Sequence, residues 1–185
     1  VIPRAEKFFE TVPLFPSLSE IQFTDIFERS EYELDINLIE KKYHQKTVLI
    51  TGAGGSIGSE ITRQLLKFSV KKLVLIGRGE HSIYNLIKDL NNYFELMEKI
   101  PEVDYRIVDV KDEQLLIKAF NETNPDIVFH AAAHKHVPIM EFNEIEAIQN
   151  NVKGTLNVLN ASKQYGVEEF VYISTDKAVR PVNIM

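Results

Sequence analysis

The run Thr51-Gly-Ala-Gly-Gly-Ser-Ile-Gly58 has the make-up of a phosphate cradle. It follows a short β-branched run, Thr47 to Thr51. It opens onto Ile57, Ile61, Leu65 and Phe68, which recur at helical spacing. Between a strand and a helix, Gly52 can make the tight turn and Gly55 leaves room for a pyrophosphate beside the backbone. Gly58 lets the helix pack closely on the sheet. Gly54, Ser56 and Ile57 share this turn, where free N–H groups and the positive end of the helix dipole face phosphate oxygens. Spaced glycines alone would equally suit a plain turn. The strand before them and the amphipathic helix after them make a dinucleotide, NADP or NAD, the better reading.

The choice between those cofactors is normally made at the end of the second strand, where an acidic residue binds the ribose 2′-hydroxyl of NAD. This chain has Gly77-Arg78-Gly79-Glu80 there. Arg78 can pair with a 2′-phosphate, stack on adenine, or stay solvated, and it tips the expectation slightly toward NADP. Glu80 comes slightly late but is within reach of the ribose as an alternative. Asp109-Val110 ends the third strand, where an aspartate faces the adenine amino group or caps the next helix. Ala131-Ala132-Ala133 follows the fourth strand. Its small side chains suit a backbone passing under the cofactor, or simple helix packing.

Further along, Thr175, Asp176 and Lys177 fall at the end of the fifth strand, the ligand-binding edge of such sheets; on their own they read equally well as a polar loop. His130, His134 and His136 invite a zinc reading. Their spacing does not place three imidazoles on one face, and no carboxylate completes a familiar set, so no metal is expected. Lys135 reads as a polar residue near cofactor or substrate. Asn151 either orients a water or backbone group near the site or lies on a helix face.

These residues need a scaffold, and the periodicity supplies one. Strands are expected at Thr47–Thr51, Leu73–Ile76, Val103–Val108, Ile127–Phe129 and Phe170–Ile173. Helices are expected from Ile57, over Glu80–Met97, and over Asp112–Glu122 with Asp112 as N-cap. A long one is marked by Ile145, Ile148, Val152, Leu156 and Leu159, ending at Gly166. Alternation of this kind predicts an α/β, doubly wound parallel sheet (a Rossmann fold, strand order 3-2-1-4-5) with helices on both faces. Residues 1–45 read as a linker, broken by Pro3, Pro13 and Pro16, with short helices at Ser19–Arg29 and Asn37–Tyr43. Residues 46–185 form the dinucleotide-binding domain.

The chain of 185 residues is 44% hydrophobic and 26% charged, a soluble globular balance. Its net charge of −6 argues against a nucleic-acid partner. The lack of cysteine excludes disulfides and thiolate metal sites and suits a reducing compartment. No apolar run approaches the ~18 residues that span a bilayer, so no membrane contact is expected of these residues. The chain starts at Val1 rather than methionine and stops at Met185 soon after a strand. It is therefore expected to be a fragment, lacking its substrate-binding part.

The glycine spacing resembles that of the extended short-chain dehydrogenase/reductases. Phe129-His-Ala-Ala-Ala-His-Lys-His-Val-Pro138, Asn151-Val-Lys-Gly-Thr155 and Ile173-Ser-Thr-Asp-Lys-Ala-Val-Arg-Pro181 are more specific. They resemble the CapD-like nucleotide-sugar 4,6-dehydratases of bacterial polysaccharide biosynthesis, which act on UDP-N-acetylglucosamine. The resemblance is strong over 47–185 and weaker over 24–46, where Asp25-Ile-Phe-Glu-Arg29 and Leu34-Asp35 match the segment preceding the catalytic domain of the long members. It implies a UDP-sugar substrate and a homo-oligomeric full-length protein. The expected location is cytoplasmic, or the cytoplasmic part of an inner-membrane protein. It also implies roles: Thr175 to hydrogen-bond the C4 oxygen of the sugar, Asp176 to protonate the departing C6 hydroxyl, Lys177 to remove the C5 proton. The acid then needs a raised pKa and the lysine a lowered one. The sequence departs from the superfamily at Met185, where a tyrosine is expected four residues before a lysine. Methionine has no titratable proton, so either another group acts at C4 or Met185 only shapes the site.

Overall fold

The computed structural model describes residues 34–175, 178–180 and 183–184. The expected helix at Ser19–Arg29, the proline-containing stretch, Asp176, Lys177 and Met185 lie outside the described residues. Residues from Ile36 onward form one unit. It opens with α1 (Ile36–Tyr43), close to the short helix expected at Asn37–Tyr43. It then alternates: β1 (Thr47–Thr51), α2 (Ser56–Leu65), β2 (Lys72–Gly77), α3 (Glu80–Phe94), β3 (Glu102–Ile107), α4 (Glu113–Thr123) and β4 (Ile127–His130). After β4 come α5 (Val137–Met140), α6 (Glu144–Ile148), a π-helical segment (Gln149–Gly154), α7 (Thr155–Gln164) and β5 (Glu169–Tyr172).

The strands form one five-stranded sheet in the order β3-β2-β1-β4-β5, every pairing parallel. This is the expected Rossmann order. β1 is central and wholly buried, and its residues alternate between two cores. Val48 and Ile50 join Leu73, Leu75, Ile83, Leu86 and Leu90 on the face covered by α2 and α3. Leu49 joins Val74, Ile76, Leu116, Phe120, Val128 and Val158 on the face covered by α4 and α7. Each of these buried side chains stabilises the fold by roughly 1.5–3 kcal/mol. The outer strands β3 and β5 are only half-buried, because each pairs on one side alone.

Local chemistry fixes the joints. Asp112 caps α4, its carboxylate accepting from the Leu115 N–H at 3.0 Å. The Asp126 carboxylate accepts from the Thr47 N–H at 2.7 Å and so ties the start of β1 to the start of β4.

One element departs from expectation. The expected long helix runs without a break from Glu144 to Gln164, but with a π-helical segment, Gln149–Gly154, inside it. Its apolar stripe also faces outward: Ile145, Ile148, Val152, Leu156 and Leu159 are exposed, Ile145 by 73%. The face that packs inward carries Ala147, Asn150, Gly154, Asn157, Val158, Ala161 and Ser162. Small and hydrogen-bonded side chains let the backbone come close to the sheet. Asn157, for instance, donates to the Val110 carbonyl at 3.0 Å. Ile57 departs likewise: at the first turn of α2 it is 53% exposed, while Gly58, Thr62 and Leu65 make the buried face.

Candidate functional site

A cavity opens at the carboxyl ends of the strands. Gly52, Gly54 and Gly55 line it from the β1–α2 turn, Gly77, Arg78 and Gly79 from the end of β2, and Ser82 from the first turn of α3. Val108, Asp109 and Val110 line it after β3, Ala131–His134 after β4, and Asn150 from the π-helical segment. Parallel strands in this order bring their ends together at the point where the chain reverses its direction of winding, between β1 and β4.

The glycine turn is tight for identifiable reasons. Gly52 has φ 67°, and a Cβ there would lie 2.7 Å from the backbone N of Ala132. A Cβ on Gly58 would lie 2.3 Å from the Gly52 carbonyl oxygen, so only glycine lets α2 start this close to β1. Gly55 is the N-cap of α2, and no side chain caps that helix end. Its leading N–H groups are thus left for an anion.

The wall beyond β4 is held by a buried chain of hydrogen bonds. Thr51 Oγ1 and His130 Nδ1 are 2.6 Å apart, and His130 Nε2 and Thr155 Oγ1 are 2.9 Å apart. The Thr155 hydroxyl donates its only proton to the Asn151 carbonyl at 2.7 Å. His130 Nε2 must therefore be the donor to Thr155, and Nδ1 accepts from Thr51. Burial holds this imidazole neutral, with its pKa pushed down to about 4. Asn151 completes the clamp: its amide donates to the His134 carbonyl at 3.0 Å and accepts from the His134 N–H at 2.8 Å.

Charge gathers at the rim. The Glu146 carboxylate accepts from Lys111 Nζ at 2.7 Å, lies 3.0 Å from His134 Nε2, and accepts from Arg78 Nη1 at 3.1 Å. Its pKa is pushed down to about 2, first by the Lys111 ammonium, then by His134.

Of the residues singled out in the sequence, Gly52, Gly54, Gly55, Arg78, Asp109, Val110, Ala131, Ala132 and Ala133 meet around this cavity. Ser56, Ile57, Gly58, Lys135 and Asn151 do not line it: Ser56, Ile57 and Lys135 are exposed, Gly58 is buried behind the turn, and Asn151 acts on backbone. Asp109 does not cap α4. Its carboxylate accepts from the Lys111 N–H at 2.9 Å. Glu80 is exposed at the start of α3. Thr175 is exposed just beyond β5, its carbonyl accepting from the Ala178 N–H at 3.1 Å. The histidines are dispersed: His130 between two threonines, His134 on Glu146, His136 exposed before α5. Among the described residues no group of three His, Cys, Asp or Glu could hold a metal ion, and no helix is long and apolar enough to cross a membrane. Ser82, His134 and Asn150 as cavity walls, and Glu146 as the partner of Arg78, Lys111 and His134, are not anticipated by the sequence. The pattern Asn150-Asn151 inside an apolar helix was the one available signal.

Sheet order, glycine turn and cavity together define a Rossmann-type nucleotide-binding domain. Residues 48–185 match the family described as polysaccharide biosynthesis protein, and the chain belongs to that family, where it is CapD-like. It is 47% identical over 170 residues to the capsular polysaccharide biosynthesis protein CapD of Staphylococcus aureus, covering 91% of this chain and 28% of that protein. It is 37% identical over 143 residues to a UDP-N-acetylglucosamine 4,6-dehydratase (inverting) of Campylobacter jejuni, covering 77% of this chain and 40% of that one. Among solved structures it resembles the UDP-glucose 4-epimerase of Thermus thermophilus in complex with NAD. There the TM-score is 0.56 and the identity 29%, over 70% of this chain and 37% of that one. The chain thus spans less than half the length of these proteins.

Proposed function

We propose that this chain is the cofactor-binding part of a nucleotide-sugar 4,6-dehydratase that acts on UDP-N-acetylglucosamine in polysaccharide biosynthesis. The observation that carries the reading is the gathering of the glycine turn, Arg78, Asp109 and Ala131–Ala133 around one cavity, in a chain that resembles the Campylobacter dehydratase. The cavity fits a nicotinamide dinucleotide. Its floor is glycine and alanine backbone, an uncapped helix start faces it, and a Cβ at Gly52 would collide with the adjoining Ala131–Ala132 backbone.

A nicotinamide held there would supply hydride chemistry between C4 and C6 of the sugar. The chain's own residues do the rest. Thr175 holds the C4 oxygen. Lys177, neutral for part of the cycle, removes the C5 proton that the C4 ketone makes acidic. Asp176, in its acid form, protonates the C6 hydroxyl, which leaves as water. The product is a 4-keto-6-deoxy sugar. The roles of Thr175, Asp176 and Lys177 rest on the sequence resemblance. The 185 residues alone are proposed to bind cofactor without turnover. The full-length protein is proposed to be a homo-oligomer, which the outward apolar stripe on α6 and α7 supports.

The test is to give the full-length protein UDP-N-acetylglucosamine and follow the sugar by mass spectrometry. Loss of one water is expected, with solvent deuterium at C5 when the reaction runs in heavy water. Lys177→Ala should lower elimination by about 10²–10⁴ and leave cofactor binding intact. A product of unchanged mass but altered stereochemistry would instead favour an epimerase, as the Thermus structure is named.

A further inference from the structure

The other edge of the sheet carries a second cavity, of about 250 Å³. Its walls come from the loops that lead into β1, β2 and β3, so it lies at the amino ends of the strands, away from the glycine turn at their carboxyl ends. Lys67, Lys71 and Lys99 line it, and no carboxylate does. Among the described residues none of the three forms an ion pair; Lys67 Nζ donates to the Gln64 amide oxygen at 2.8 Å. Yet the chain has 27 acidic residues to 21 basic ones. Lys42, Lys46 and Lys72 start from the same edge, and each pairs with a glutamate: Glu169, Glu168 and Glu102. The Glu40 carboxylate borders the cavity through Ser69, accepting from the Ser69 N–H at 3.2 Å, and lies 3.4 Å from His44 Nδ1. Helix dipoles account for one cation alone. Lys67 follows the end of α2, but Lys99 comes five residues after α3 and Lys71 leads into β2. The pull of a dipole fades within the last turn.

Phe68, Ile100 and Pro101 give the cavity an apolar side. Gln45 gives it an amide. At φ 58° the Gln45 backbone is left-handed just past α1, where glycine or asparagine is the usual residue. The Gln45 N–H donates to the Ser69 carbonyl at 2.8 Å, and the Lys71 N–H to the Lys46 carbonyl at 2.9 Å. These bonds pin the loops before β1 and β2 to each other beside the opening. Three ammonium groups around one opening repel one another, and a multiply charged anion relieves that repulsion. Lysine meets phosphate as a point charge, and an apolar wall suits a group attached to the phosphate. We infer that this cavity binds a phosphate ester: Lys67, Lys71 and Lys99 hold the phosphoryl oxygens, and Phe68, Ile100 and Pro101 hold the apolar part. A small soluble phosphate ester and the head group of an anionic phospholipid share this chemistry. The site is separate from the dinucleotide cavity and does not depend on how that cavity is read.

Two measurements on the 185-residue chain test it. One is calorimetric titration with phenyl phosphate at physiological salt. The other is sedimentation with phosphatidylcholine vesicles, with and without phosphatidylglycerol. Lys67→Gln, Lys71→Gln and Lys99→Gln made together remove the charges and keep polar side chains. This triple variant should bind about tenfold or more weakly wherever the wild type binds. Lys88, Lys118 and Lys163 are exposed and lie outside the cavity. Replacing those three by Gln changes the net charge equally and should alter binding by less than about twofold. Circular dichroism checks each fold, and Lys71→Gln alone should already weaken binding by about threefold. Any binding at the glycine turn is common to all these proteins and cancels in the comparison. Loss of phenyl phosphate binding marks a soluble ester as the occupant, and loss of binding to the phosphatidylglycerol vesicles marks a lipid head group; either supports the site. A wild type that binds neither probe overturns the inference. Equal losses in the two triple variants overturn it too, since they would mark a general attraction to charge.

Discussion

His130 shows how much a single side chain can hold. It is 1% exposed, lies against Phe170 and Tyr172, and among the described residues pairs with no charged group. Unfolded, an imidazole protonates near 6.5; buried here, it does so only near 4. Protons taken up between those values favour the unfolded chain. Stability from His130 is thus complete above pH 6.5 and declines by about 3 kcal/mol as the pH falls to 4. In urea titrations, His130→Gln should therefore lose less stability than the wild type between pH 7 and pH 4.5. Equal losses would show that carboxylates alone set the acid limit. The importance of His130 was only half legible. Its position at the end of a strand could be read, but its partners Thr51 and Thr155 lie 79 and 25 residues away. Glu146 was invisible for the same reason: an acid in the first turn of a helix is ordinarily solvated, and Arg78 is 68 residues distant.

Among the elements, strands were the most legible, because a short β-branched run bounded by turns has few alternatives. The helix after β4 was the least. Its apolar period pointed correctly to one face but not to the correct neighbour, since apolarity says that a face avoids water and not which surface covers it. The inward face needed small residues instead. Gly154 is the tightest of these: a Cβ there would sit 2.6 Å from Val110 Cγ2, and Val110 is part of the cavity wall. Gly154→Ala should destabilise the domain by about 1–3 kcal/mol through overpacking. Combining it with Val110→Ala should recover part of that loss, as read from denaturant midpoints. A single variant as stable as wild type would mean that the π-helical segment shifts freely. The expanded turn also explains why Asn150 reaches the cavity, a placement that a strict 3.6-residue period does not foresee.

For the molecule as a whole, the cavity draws its walls from four strand ends and the π-helical segment, so a ligand there ties together elements that otherwise meet only through the sheet. A dinucleotide at a hundred times its dissociation constant adds about 2.7 kcal/mol of stability, or roughly 5–10 °C in melting temperature for a domain of this size. Thermal melts with and without NAD measure this. No shift with either NAD or NADP would contradict dinucleotide binding. The strand order bears on how such a chain comes into being. β1 is the middle of the sheet yet the first of its five strands along the chain, and Thr51 meets its partner His130 only across 79 residues. At about 5–20 residues per second, a ribosome needs roughly 4–16 s to supply that partner. Throughout that interval a strand that the fold buries completely has an edge open, and the nascent chain then has most need of a chaperone.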